Sequence, residues 1–108
     1  ASAAPERPLS FGPLSIDPKS REVNLNDREC GLTAKEFDLL YFMARHARQV
    51  FTRDQLLEHV WGLSEYIDPS TVTVHIRRLR EKVEPDPSKP ELIHTVWGVG
   101  YKFDHELS

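Results

Sequence analysis

Thr33-Ala34-Lys35-Glu36 and Thr52-Arg53-Asp54-Gln55 spell the same helix start twice in the middle of the chain. In each, the threonine hydroxyl can accept an amide three residues on, and the Glu or Gln there can accept the threonine's own amide. Apolar residues flank each box, Leu32 with Phe37 and Phe51 with Leu56, at the spacing of a hydrophobic staple. A third start follows at Asp68-Pro69, an N-cap residue before a proline suited to the first helical position, with Ile67 and Val72 as its staple. Starts this closely spaced dictate three short helices. The first spans about 34–47, with Phe37, Leu40, Tyr41, Ala44 and Ala47 on one face. The second buries Leu56, Leu57, Val60 and Trp61 and ends at Gly62. The third lies between Asp68 and the helix-stopping Pro85.

Both flanks of these helices read as strands. From Leu9 to Leu32 the apolar pairs Leu9/Phe11, Leu14/Ile16, Val23/Leu25 and Cys30/Leu32 are separated by Gly12-Pro13, Asp17-Pro18 and Asn26-Asp27. That is an antiparallel meander with one buried face. After the third helix, Leu92–Val96 and Tyr101–Phe103 flank Trp97-Gly98-Val99-Gly100, a hairpin with glycines at its turn. The expected class is therefore α+β: a meander of short antiparallel strands, three helices, then a C-terminal β-hairpin, the layout of a winged helix. Residues 9–105 form this single domain. Residues 1–8 read as a linker or tag remnant and 106–108 as a disordered tail.

The 108 residues suit one modest core, and 29% charged with 39% hydrophobic is an ordinary soluble composition. No apolar run approaches the roughly 20 residues needed to span a bilayer, and no signal-peptide pattern occurs at the start. The lone Cys30 excludes an internal disulfide and fits a reducing, cytoplasmic setting. His46, His59, His75, His94 and His105 show neither His-x-His nor His-x-x-x-His spacing. Without a nucleophile–base cluster or a ligand set, no enzyme activity, metal or cofactor is expected.

Net charge is −3, yet Ser70–Lys82 carries Arg77, Arg78, Arg80 and Lys82 against only Glu81. Local field, not total charge, governs attraction to phosphate. At roughly 100° per residue, Val72, Ile76, Leu79 and Val83 make a narrow core stripe. Opposite it stand Val74, Arg77 and Arg78, flanked by Ser70, Thr71 and Thr73. Solvation explains exposed arginines; it does not explain a β-branched residue on the most exposed line. In a major groove, Val74 can meet a thymine methyl while the arginines reach guanine edges or phosphates. His75 lies at the core boundary, as a satisfied histidine or a phosphate contact. Arg80 has its stem near the core and its head free for the DNA backbone, and Lys82 points outward into solvent. A basic helix followed by a hairpin places the wing at the adjacent backbone or minor groove. There Thr95 can bond phosphate, Lys102 brings the wing's formal positive charge, and Tyr101 belongs to the same surface. Trp97 either packs at the wing base or lies against sugar and base.

Leu-Thr-Ala-Lys-Glu-Phe-Asp-Leu-Leu (32–40), Phe-Thr-Arg-Asp-Gln-Leu-Leu (51–57) with Val-Trp-Gly (60–62), Thr-Val-Thr-Val-His-Ile-Arg-Arg-Leu-Arg-Glu-Lys (71–82) and Thr-Val-Trp-Gly-Val-Gly-Tyr-Lys-Phe (95–103) resemble the OmpR/PhoB-type effector domain of bacterial two-component response regulators. The resemblance spans about Leu9 to Phe103. It implies a winged helix-turn-helix with an N-terminal four-stranded antiparallel sheet, a three-helix core and a C-terminal β-hairpin wing, to which Gln49-Val50-Phe51 adds a strand. It also implies that the helix bearing Thr73, Val74, His75, Arg77, Arg78 and Arg80 contacts double-stranded DNA. The loop with Trp61, Leu63, Ser64, Glu65 and Tyr66 would meet RNA polymerase. A separate N-terminal receiver domain, phosphorylated on aspartate, would drive dimerisation on direct-repeat half-sites, the isolated domain being monomeric. Some relatives place an arginine at the position of Trp97 and a charged residue at that of Ser70, so fewer charged contacts are expected here. The rival expectation is a winged helix that binds only protein, favoured by the acidic total and the apolar loop 61–67.

Overall fold

The computed structural model describes residues 7–62 and 66–104. Most of the expected linker, the tail, and Leu63, Ser64 and Glu65 of the expected polymerase loop lie outside them. Strands β1 (Leu9–Phe11), β2 (Leu14–Asp17), β3 (Glu22–Leu25) and β4 (Arg28–Glu29) form an antiparallel sheet in sequence order. Leu9 pairs with Ile16, and Ile16 with Val23. That register, with the period of two, sinks Phe11, Leu14, Ile16 and Val23 and turns the Ser10–Ser15–Asn24–Glu29 row outward. Asn26 and Asp27, both at positive φ (53° and 65°), close the two-residue hairpin between β3 and β4. The fourth strand is shorter than the sequence pattern suggests. Cys30 lies past its end, although its N–H still bonds the Val23 carbonyl at 2.8 Å, and Leu32 packs against the core outside any strand.

Helix α1 (Ala34–Arg45) starts on the expected capping box: Thr33 Oγ1 accepts the Glu36 amide at 3.2 Å and Glu36 Oε1 the Thr33 amide at 3.0 Å. It buries Leu39, Phe42 and Met43 as well as Phe37, Leu40 and Ala44, a wider face than a single stripe. The reason is its central place. Other helices and the wing pack on it, while the first sheet is tied to it by Arg21, which bonds Asp38 Oδ1 at 2.8 Å and the Ala34 carbonyl at 3.2 Å. Edge-on contact of Phe11 with Phe103, 4.7 Å between ring centres, joins that sheet to the wing.

Thr52 and Gln55 form the second capping box. Helix α2 (Arg53–Leu56) is α-helical only briefly, then widens to a π-helical stretch at Leu57–Trp61. The wider turn breaks the 3.6-residue phase, so Leu57, Val60 and Trp61 are only partly buried where the pattern put them on the core face. Lys35 fills the gap, with Nζ on the Val60 carbonyl at 3.0 Å and 5.8 Å from the Trp61 ring centre.

Helix α3 runs Ser70–Val83. Pro69 already has helical dihedrals, and Asp68 Oδ1 accepts the Ser70 amide at 2.8 Å, so Asp68 caps it as expected. Those Ser70 hydrogen bonds hold the Asp68 carboxyl below its ordinary pKa. Val72, Ile76, Leu79 and Val83 are all at most 1% exposed, each contributing about 1.5–3 kcal/mol by burial. Pro85 forces extended backbone on Glu84 and ends the helix.

A second sheet has the order β5-β7-β6, from β5 (Phe51–Thr52), β6 (Ile93–Val96) and β7 (Gly100–Phe103). The extra strand exists, displaced toward Thr52 from the expected 49–51. Gly98, at φ 80°, makes the wing turn. Gly100 is not in that turn: it pairs with Val96 and Thr52, and a Cβ there would run into the Phe51 backbone. It is glycine so that β5 can approach β7.

Candidate nucleic-acid interface

Because one stripe of α3 is sealed against the core, the opposite side is presented outward. Ser70, Arg77 and Arg78 are exposed there, and Thr71, Thr73, Val74 and His75 are half-buried. Val74 is therefore less open than its helical phase suggests. Arg77 and Arg78 make no ion pair or hydrogen bond with any described residue.

The other two cations of the helix are engaged within the fold. Lys82, expected to point into solvent, reaches Glu36 Oε1 at 2.6 Å, and that glutamate is 1% exposed. Burial opposes ionisation of Glu36, but the Lys82 ammonium, the Thr33 amide and the charge of His75 outweigh it and lower its pKa. Arg80, expected to have its head free for the DNA backbone, donates to the Ile93 carbonyl through Nε (3.2 Å) and Nη2 (3.0 Å). Nη2 also reaches Thr95 Oγ1 at 2.8 Å. Its guanidinium carbon lies 5.8 Å from the Tyr101 ring centre.

Tyr101 is only 9% exposed, so its ring supports the wing from inside rather than opening onto the expected DNA-facing surface. Thr95 accepts from Arg80 and keeps its own hydroxyl proton to donate. His75 Nδ1 lies 2.8 Å from the Thr71 carbonyl and the ring meets Trp61 edge-on. It is a satisfied boundary histidine, with Nε2 left for any further contact. Lys102 is half-exposed, 3.7 Å from Asp104 Oδ2.

Trp97 is 88% exposed at the wing turn, beside Val99 at 53%. Packing at the wing base is thus closed to it. Two shallow grooves flank it: one is lined by Arg53 and the turn, the other by Arg80, His94 and the Pro87–Pro90 segment. Arg53 is a candidate that sequence reasoning missed: its capping box marked it only as a helix start, although the strand expected at 49–51 already brought the wing close by. Tyr66, in the loop before α3, is 85% exposed, while Trp61 is half-buried. No group of three or more metal-ligating side chains occurs among the described residues, and no described helix is long and apolar enough to cross a membrane. Burial pushes the Cys30 thiol pKa up.

The sequence model of a family described as "Transcriptional regulatory protein, C terminal" matches residues 27–103. With a TM-score of 0.84, the chain superposes on the response regulator DrrB of Thermotoga maritima, an OmpR/PhoB homologue, at 40% identity. That match covers 90% of this chain and 44% of DrrB. The chain belongs to the OmpR/PhoB-type effector domains. These are the DNA-binding domains of response regulators, and transcription regulation is their role. This effector domain is also 55% identical over 94 residues to an uncharacterized transcriptional regulatory protein, YclJ, of Bacillus subtilis, covering 86% of the chain and 40% of YclJ. It therefore spans less than half the length of the curated relatives it matches. The DNA-binding domain of RstA from Klebsiella pneumoniae, solved in complex with the RstA box, superposes with a TM-score of 0.80 at 39% identity. There the match covers 91% of this effector domain and 97% of RstA's.

Proposed function

We propose that this effector domain binds double-stranded DNA in a sequence-specific manner with α3 in the major groove and the wing on the adjacent backbone or minor groove. One observation carries this: Arg77 and Arg78 are exposed, without described partners, on the face opposite a fully buried stripe, while Arg80 is tied to the wing and Lys82 to Glu36. The groove-facing line is Ser70, Val74, Arg77 and Arg78, with Thr71 and Thr73 beside it. Short polar groups let the helix approach closely, Val74 offers a methyl-sized contact, and the two arginines suit guanine edges or phosphates. The solved complex of the RstA DNA-binding domain with the RstA box supports this use of the fold. On the wing, exposed Trp97 and half-exposed Lys102 face the same partner, with Thr95 as a hydroxyl donor.

The longer regulator carries a receiver domain N-terminal to this one, and two copies meet on direct-repeat half-sites, the isolated domain being monomeric. The segment 61–68 contacts RNA polymerase through Tyr66, whose 85% exposure has no use in the core. That same exposure favours the second reading, a module that binds protein alone. Titration of a selected duplex separates the two. Arg77→Ala and Arg78→Ala should each weaken binding by about 1–3 kcal/mol if the residue reads a base. Unchanged binding in both variants removes α3 from the groove.

A further inference from the structure

The wing is a hairpin whose strand β6 is an outer edge, so the backbone groups of Ile93 that face away from β7 have no strand to pair with among the described residues. Two side chains from the end of α3 take that place. Glu84 Oε2 accepts the Ile93 amide at 2.8 Å and the Leu92 amide at 3.0 Å, and Oε1 accepts the Glu91 amide at 2.8 Å. Arg80 donates twice to the Ile93 carbonyl and once to Thr95 Oγ1. Both the N–H and the C=O of one edge residue are thus satisfied from the helix, as a neighbouring strand would do. Arg80 and Glu84 are themselves linked, since the Arg80 carbonyl accepts the Glu84 amide at 3.1 Å.

Glu84 is 4% exposed, and a buried carboxylate with several charge-assisted hydrogen bonds is a rigid connector. The prolines at 85, 87 and 90 and the Asp86 turn, where Oδ1 accepts from the Ser88 amide and hydroxyl, stiffen the connection between helix and wing. We infer that Arg80 and Glu84 form a clamp that sets the angle of the wing against α3, acting as positioning residues for DNA recognition. The inference rests on the proposed groove and wing contacts. On that reading the clamp holds Trp97 at a fixed distance from Arg77 and Arg78, so that both contacts are made at once.

Two measurements test it. The first needs no DNA: residual dipolar couplings of the β6 and β7 amides, referenced to those of α3, in the 108-residue chain and in Glu84→Gln and Arg80→Lys. Each variant should keep a cooperative thermal transition and the couplings of α1 and the first sheet, while the wing reorients. An unchanged wing orientation in both variants overturns the clamp. Glu84→Gln keeps the side chain's size and one acceptor oxygen but puts an NH2 donor where the other oxygen accepted, so it loosens the clamp without emptying the buried site.

The second is a double-mutant cycle with Trp97→Ala on a duplex recovered from random DNA. In the unaltered domain Trp97→Ala should weaken binding about tenfold. In Glu84→Gln the same change should cost less than about twofold, because a misplaced wing has little contact left to lose. Full additivity of the two changes overturns the role in recognition. Failure of the unaltered domain to bind any duplex refutes the proposed function instead, and the couplings still decide the clamp.

Discussion

Lys82→Ala should destabilise the domain by about 2 kcal/mol, although the residue lies on a solvent-side row of α3. Its ammonium is 2.6 Å from Glu36 Oε1, and Glu36 is 1% exposed. Removing one partner of a fully buried pair costs about 3–5 kcal/mol, because the other charge is left in low dielectric. Lys82 is itself 32% exposed and Glu36 keeps the Thr33 amide, so the cost falls below that range, to about 2 kcal/mol. For a domain of this size about 2 kcal/mol lowers Tm by roughly 8–16 °C, read by circular dichroism at neutral pH. The pH dependence follows from the direction of the Glu36 shift. A carboxyl whose folded pKa is lowered contributes stability that is fully present above its unfolded value and lost as pH falls through the folded one. The Lys82→Ala penalty should be full at neutral pH and fade once acid protonates Glu36. In a Glu36→Gln background it should shrink below about 0.5 kcal/mol, since the amide needs no counter-charge. A Tm loss under about 2 °C, or an equal loss in the Glu36→Gln background, would refute the pairing as a stabilising contact.

Val74→Asp should abolish duplex binding while leaving the thermal transition within a few degrees of the original, as the residue lies outside the buried stripe. Loss of the transition would place Val74 in the core instead. Tyr66→Ala should leave the affinity for DNA unchanged and reduce activated transcription with purified polymerase; equal transcript levels count against a polymerase contact.

Most of the fold is legible in the sequence because its signals are local. Both capping boxes, the Asp68 cap and the Pro85 stop depend on residues within one turn of one another, and all four lie where expected. The meander is equally local, set by rough apolar–polar alternation and by the turn formers Gly12-Pro13, Asp17-Pro18 and Asn26-Asp27. What is not legible depends on partners far along the chain. Lys82 and Glu36 are 46 residues apart, and periodicity alone sends a lysine at that phase to water. Periodicity likewise leaves the Arg80 head free for the DNA backbone, because its wing partners, Ile93 and Thr95, lie beyond a proline-rich turn. The π-helical widening at Leu57–Trp61 leaves no mark in the residue pattern, which therefore buries Trp61 more deeply than the structure does. For the candidate site, the same distinction holds. The outward phase of Arg77 and Arg78 is read from the helix itself, whereas the exposure of Trp97 and the burial of Tyr101 are fixed by how the hairpin docks.

The central claim is that α3 and the wing form one surface for DNA. Selection of bound sequences from random duplexes, run with this chain at two salt concentrations, tests it most directly. Enrichment of one short half-site motif is expected, with affinity falling steeply as salt rises because phosphate contacts release counterions. Recovery of unenriched sequence at both salt concentrations would contradict it.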